Sequence, residues 1–126
     1  MSEYYLGIMC GTSLDSIDVS IVKMENSKLK VMGFEEYKIN DNLKKKINKQ
    51  KKLNKANKKL DYEVSAIISS YIKKILKKYT IKLNQVMGVG FPGITLNHNP
   101  KNKTSTYIGA PKEISNLTSV PVVSDF

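Results

Sequence analysis

Apolar residues in the first third of the chain recur with a period of two. Tyr5, Leu6 and Ile8 precede a polar stretch, and Ile17, Val19 and Ile21 then alternate with Asp18, Ser20 and Val22. This pattern predicts a strand from about Tyr4 to Met9, a polar turn, and a second strand from about Ile17 to Met24. After Glu25-Asn26-Ser27, residues 28–37 alternate charged and apolar positions and read as a third, antiparallel strand. The first strand, apolar on both faces, belongs near the sheet centre. The third, carrying Lys28 and Lys30, belongs at an edge.

From Asn40-Asp41, a candidate cap, the period changes to that of a helix. Leu43 and Ile47 lie four apart inside a run with nine lysines between positions 44 and 59, a composition typical of a solvated helix face. Leu60, Val64, Ile68, Ile72, Ile75 and Tyr79 then form one continuous stripe, which predicts the helix that covers the sheet. Tyr71 and Tyr79 read as packing at the core edge. Residues 86–91 read as a buried strand parallel to the first. The segments 94–96 and 104–108 predict a hairpin or an excursion beside the sheet, with His98, the only histidine, as a loop residue. Ala110-Pro111 opens a short helix to about Leu117, and residues 120–126 read as a last buried strand with Asp125 near its C-terminal end, the end where open α/β sheets hold ligands.

The order is three antiparallel strands, helix, strand, helix, strand. No repeat or linker interrupts it, so residues 1–126 read as a single α/β domain with helices on a mixed sheet.

Composition changes this picture mainly by exclusion. The formal charge is +10, yet all 21 basic residues are lysine. Arginine supplies the planar bidentate contacts that read bases, and its absence argues against nucleic acid as the partner. One cysteine allows no internal disulfide, and neither a signal pattern nor an apolar run long enough to span a bilayer occurs. A cytoplasmic protein with no membrane partner is the simplest expectation.

Chemistry concentrates at the first turn. Gly11, Thr12, Ser13, Leu14, Asp15, Ser16, Ile17 and Asp18 place a glycine, three hydroxyls and two carboxylates within eight residues. Such a turn suits a bound phosphate: the glycine admits close backbone approach, the hydroxyls and N–H groups donate, and Asp15 and Asp18 can hold Mg²⁺ directly or through water. An ordinary hairpin turn whose Asp and Ser satisfy their own backbone explains the same spacing. Cys10 reads as a small buried side chain rather than a reactive thiol.

The stretch from Tyr5 to Val19 resembles the opening of the anhydro-N-acetylmuramic acid kinases, G-L/I-M-S-G-T-S-x-D-G-I/V-D. Tyr107-Ile108-Gly109-Ala110-Pro111 and Val122-Val123-Ser124-Asp125-Phe126 are similar to that family's Q-I-G-D-P and V-V-x-D-F-R segments. The resemblance covers the whole chain but about the first third of such a kinase. It implies the ribonuclease-H-like lobe of the sugar kinase and actin superfamily. It also implies an ATP- and Mg²⁺-dependent enzyme that hydrolyses the 1,6-anhydro ring of a cell-wall amino sugar and phosphorylates O6. Residues 11–18 would contact ATP phosphates, and Asp125 would activate the attacking water. A C-terminal lobe would be missing, leaving little or no activity; the sequence does not fix the oligomeric state, though a sheet face or cleft wall left exposed would favour a homo-oligomer. The family's S-H-G-Q-T segment is Phe91-Pro92-Gly93-Ile94-Thr95 here, Ser16 stands where the family has glycine, and Ala110 where it has aspartate. The alternative is a degenerate, non-catalytic relative acting as an interaction module.

Overall fold

A computed structural model describes residues 3–11, 13–53, 57–99 and 104–124. The alternating segments form β1 (Glu3–Cys10), β2 (Ser16–Glu25) and β3 (Lys28–Lys38), an antiparallel meander. Asn26 and Ser27, with φ of 53° and 63°, make the tight β2–β3 turn, whose right-handed twist favours positive φ at both central residues. Helices α1 (Asp41–Leu53) and α2 (Lys58–Lys78) follow, then β4 (Val86–Gly90), a hairpin of β5 (Ile94–Asn99) and β6 (Thr104–Ile108), α3 (Pro111–Thr118) and β7 (Val122–Val123). The five-stranded sheet runs β3-β2-β1-β4-β7, with β4 parallel to β1 and β7 parallel to β4. Thus β1 is central and β3 is an edge, as the hydrophobic pattern predicts. The mixed sheet with its helices is the α/β class expected.

Four details depart from the expectation. The lysine-rich region and the apolar stripe are two helices, because Asn57 caps a new one: its side chain accepts from the Leu60 N–H at 3.0 Å and donates to the buried Gln50 amide oxygen at 3.1 Å. His98 lies in β5 opposite Ser105 and not in a loop. The last strand is only Val122–Val123, because Pro121 has no N–H for the ladder, although its carbonyl still accepts from Val89 N at 2.9 Å. Finally, a bulge opposite Ile21/Val22 inserts Met32 into β3, so Leu29 and Val31 face one side of the sheet while Gly33, Glu35 and Tyr37 face the other.

One side of the sheet carries the core. Leu6, Ile8, Ile17, Val19 and Ile21 join Leu43 and Ile47 of α1, the α2 stripe, Ile114 of α3 and Ile94 and Ile108 of the hairpin in one buried cluster. Tyr71 of α2 stacks on Tyr37 with centroids 4.4 Å apart. Tyr79 lies so close over Gly33 that a Cβ there would sit 2.3 Å from its ring, which explains the glycine. The α3 start lacks a side-chain cap at Ala110; α2 supplies the partners instead, Asp61 accepting from Gly109 N at 3.1 Å and Ser65 Oγ from Ala110 N at 2.8 Å.

Candidate functional site

The strands β1, β4 and β7 are parallel, so their C-terminal ends, Cys10, Gly90 and Val123, share one end of the sheet. The β1–β2 turn begins there. Leu14 N donates to the Gly11 carbonyl at 3.1 Å, closing a tight turn, and Leu14 itself adopts φ 58°. A left-handed leucine is strained, and what holds it is burial: its side chain is 1% exposed in the core. Gly11 needs no special conformation, and a Cβ there would meet nothing closer than Ser13 Oγ at 3.8 Å. The turn surface above it is open. The next carbonyl in the turn, that of Asp15, accepts from Ile39 N at 3.0 Å and ties the turn to the end of β3, just before α1.

The predicted site residues are brought together unevenly. Gly11, Ser13 and Asp15 are exposed on the turn. Leu14 and Ile17 are buried, Ile17 fully, so only their backbone groups are available to a ligand. Ser16 donates to Asp18 Oδ1 at 2.7 Å, and Asp18 stands in β2 opposite Met9 and Glu36. Ser16 lies in a regular strand without positive φ, so the absence of the family's glycine costs the backbone nothing there. Asp15 instead turns toward α1, where Lys44 Nζ lies 3.2 Å from its Oδ1. Hydrogen bonds from Lys44 and then Ser13 hold the Asp15 carboxyl below the usual carboxylate range. Thr12 and Asp125 lie outside the described residues.

Lys44 is the site residue that sequence reasoning missed, since it sits 29 positions from Asp15 in a run read as a solvated face. The local signal for it is Asn40, whose Oδ1 caps α1 by accepting from Leu43 N at 2.8 Å and so starts the helix beside the turn. Cys10 is half-buried, and desolvation, then the nearby Asp18 charge, pushes its thiol up to about 11. At neutral pH it is a neutral packing group.

Asp15, Asp18 and Ser13 offer hard oxygens, the donors Mg²⁺ takes. Each carboxylate already has a polar partner, and no group of three or more His, Cys, Asp or Glu side chains fit to hold a metal occurs among the described residues. The turn therefore fits a metal that arrives with its own phosphate ligands better than a resident, protein-caged ion. No helix among the described residues is long and apolar enough to cross a membrane.

A mixed β-sheet with helices and a polar turn at the C-terminal end of its central strand defines an α/β domain of ribonuclease-H-like type. The sequence pattern of the anhydro-N-acetylmuramic acid kinases matches residues 3–126, and the chain belongs to that family. A protein named anhydro-N-acetylmuramic acid kinase from Hydrogenovibrio crunogenus is 30% identical over 129 residues, covering 99% of this chain and 35% of that protein. One of the same name from Bacillus cereus is 29% identical over 136 residues, covering 98% and 36%. The chain thus spans about a third of the length of these relatives. A solved Ppx/GppA family structure from Aquifex aeolicus aligns with 98% of this chain and 36% of its own at a TM-score of 0.45 and 12% identity.

Proposed function

We propose that residues 1–126 form the N-terminal lobe of an ATP-dependent anhydro-N-acetylmuramic acid kinase, which opens the 1,6-anhydro ring by hydrolysis and phosphorylates O6 during cell-wall recycling in the cytoplasm. The observation that carries this reading is the family match over residues 3–126. It is supported by the placement of the Gly11–Asp18 turn at the end of the sheet where β1, β4 and β7 all terminate.

In this reading Gly11, Thr12, Ser13 and the backbone of Leu14, Ser16 and Ile17 line the phosphates of ATP. Asp15, on leaving Lys44, and Asp18 would hold the Mg²⁺ that accompanies them. The metal, when bound, neutralises charge on the transferring phosphoryl group. This chain's own part is to hold and orient: an open turn over Gly11 admits the phosphate, the left-handed Leu14 is locked by the core, and the Ile39 N–H fixes Asp15 from behind. Asp125 follows β7 and would take the proton from the water that attacks the anomeric carbon, a task for which a carboxylate suits. In this reading a nucleotide pocket and the second cleft wall belong to the remaining length of a family-length kinase.

The test joins this chain to the C-terminal two thirds of a family-length kinase and follows anhydro-sugar phosphorylation in a coupled assay. Turnover that falls about a hundredfold or more in Asp125→Asn supports the reading. Turnover unaffected by Asp125→Asn removes its role as base.

A second reading, a non-catalytic interaction module, is favoured by one observation. Ile94, at a position where the family carries glutamine, is fully packed in the core and offers no polar group. Any turnover of the anhydro sugar by the joined chain excludes it.

A further inference from the structure

Two contacts fix the start of α1 beside the turn without help from any charge. Ile39 N donates to the Asp15 carbonyl at 3.0 Å, and the Asn40 side chain caps the helix through Leu43 N at 2.8 Å. The helix then buries Leu43, Ile47 and Gln50. Of its lysines, Lys45, Lys46, Lys49 and Lys52 are exposed, whereas Lys44 and Lys51 are half-buried. These two stand about two helical turns apart and so share one side of the helix. Both act on the β1–β2 connection: Lys44 Nζ lies 3.2 Å from Asp15 Oδ1, and the Lys51 charge bears on the Cys10 thiol at the end of β1.

Stability does not account for the Lys44–Asp15 pair. Its side chains are 38% and 73% exposed, and an ion pair so open to solvent contributes almost nothing to folding. What the pair changes is the charge that the turn presents. Gly11 and Ser13 lie on an open surface suited to a phosphate, yet Asp15 sets a carboxylate beside them that repels an incoming anion. An ammonium on Oδ1 removes that repulsion. A divalent cation that takes this carboxylate meets the ammonium as a like charge at close range and displaces it. The side chain so released, on a flexible stem with three donors, then stands beside the phosphate that the metal carries.

We propose that Lys44 is the exchangeable counter-cation of the turn: its ammonium occupies the Asp15 carboxylate until a divalent cation takes it, and then passes to an oxygen of the phosphate that arrives with the metal. The inference rests on the reading of residues 11–18 as a phosphate turn. It gives Lys44 two opposite effects, competition with a bare metal ion and attraction of a phosphate. Lys46 supplies the comparison, because it carries the same charge on the same helix but turns to α2, where its Nζ lies 3.1 Å from Glu63 Oε1.

The test follows the backbone amides of residues 11–18 in the ¹⁵N-labelled chain. Mn²⁺ alone is the first probe, since it takes the same oxygen ligands as Mg²⁺ and broadens nearby signals. Lys44→Gln should reach half-broadening at about threefold lower Mn²⁺ than the unmodified chain, because a competitor is gone. Inorganic triphosphate with Mg²⁺ is the second probe. Here the same variant should need about tenfold more triphosphate for half-maximal shifts at Gly11 and Ser13, the loss expected for one charge-assisted hydrogen bond. Lys44→Arg should restore most of that binding, and Lys46→Gln should move neither midpoint by more than about twofold. Equal behaviour of Lys44→Gln and Lys46→Gln overturns the proposal, because net charge alone then explains the binding. So does a Mn²⁺ midpoint that Lys44→Gln leaves unchanged or raises, or a triphosphate midpoint that it leaves unchanged. A failure of the turn itself looks different: residues 11–18 of every chain then ignore both probes, which overturns this proposal and the phosphate reading together. Failure of the kinase reading alone appears in the phosphorylation assay and not here.

Discussion

On the helix side of β2, Ile17, Val19 and Ile21 have no exposed surface; on the reverse, Asp18, Ser20 and Val22 of the same strand are only half-buried. The neighbouring strand repeats the contrast. Glu35 and Tyr37 of β3 meet Lys78 and Tyr71 of α2, while Val31 and Phe34, on the other side of the bulged strand, stay 69% and 53% exposed. The difference separates two duties. Helix-side residues hold the fold, since burying each large aliphatic side chain stabilises it by about 1.5–3 kcal/mol. The bare side, where Asp18, Ser20 and Glu36 stand among Val22, Val31 and Phe34, buries less and contributes less to folding. The phosphate-type turn lies where the two sides meet, with Asp15 turned to α1 and Asp18 standing on the bare side.

The largest expected effect comes from cutting into the covered side. Ile68→Ala, at a fully buried site of α2, should cost about 2–5 kcal/mol in urea unfolding. Val31→Ala on the bare side should stay within about 0.5 kcal/mol. Equal losses would mean that both faces are covered in solution.

Glycines sharpen the same contrast. Gly33→Ala forces Tyr79 aside and should destabilise by about 1–3 kcal/mol, whereas Gly88→Ala makes only ordinary contacts, with Tyr5 and the Pro121 carbonyl at 3.9 Å, and should be neutral or stabilising by up to about 1 kcal/mol. A thermal melt of the two variants compares them directly. A loss at Gly88 as large as that at Gly33 would show that Gly88 is as tightly enclosed as Gly33.

Titration tests the seam between the faces. The Cys10 thiol is raised from its ordinary value of 9.0 to about 11, so the neutral thiol's contribution to stability is fully present below pH 9 and is lost as pH rises through about 11. Alkylation by iodoacetamide should therefore accelerate with a midpoint near 11 in the folded chain. A midpoint near 9 would place the thiol in solvent. The smallest effect belongs to Asp15, whose carboxyl titrates below its ordinary value because of Lys44. Its contribution is present above the unfolded value and lost as pH falls through the lower folded one. NMR should show the midpoint returning toward the ordinary value in Lys44→Gln, with no measurable change in melting temperature because the pair is exposed. An unchanged midpoint would remove Lys44 from the turn.

Much of the fold was legible because it rests on short-range periodicity. The central place of β1, the edge place of β3 and the covering stripe from Leu60 to Tyr79 all follow from which positions are apolar. The helix break at Asn57 was not legible, because the asparagine's partner is the Gln50 amide and lysines surround both. The bulge at Met32 was hidden for a different reason. Alternation in residues 28–37 continues unbroken in the sequence, and only pairing with β2 reveals that Leu29 and Val31 have changed sides. At the site, residues 11–18 stood out by composition, but the division of Asp15 from Asp18 depends on Lys44, which no local spacing links to the turn.

The most direct test of the account is a titration of the ¹⁵N-labelled chain with ATP, with and without Mg²⁺, following the backbone amides of residues 11–18. The account predicts shifts at Gly11, Ser13 and Asp15 that need Mg²⁺ for their full size and disappear in Asp15→Ala, while amides of α3 stay still. Shifts confined to the lysines of α1, equal with and without Mg²⁺ and erased by salt, would contradict it.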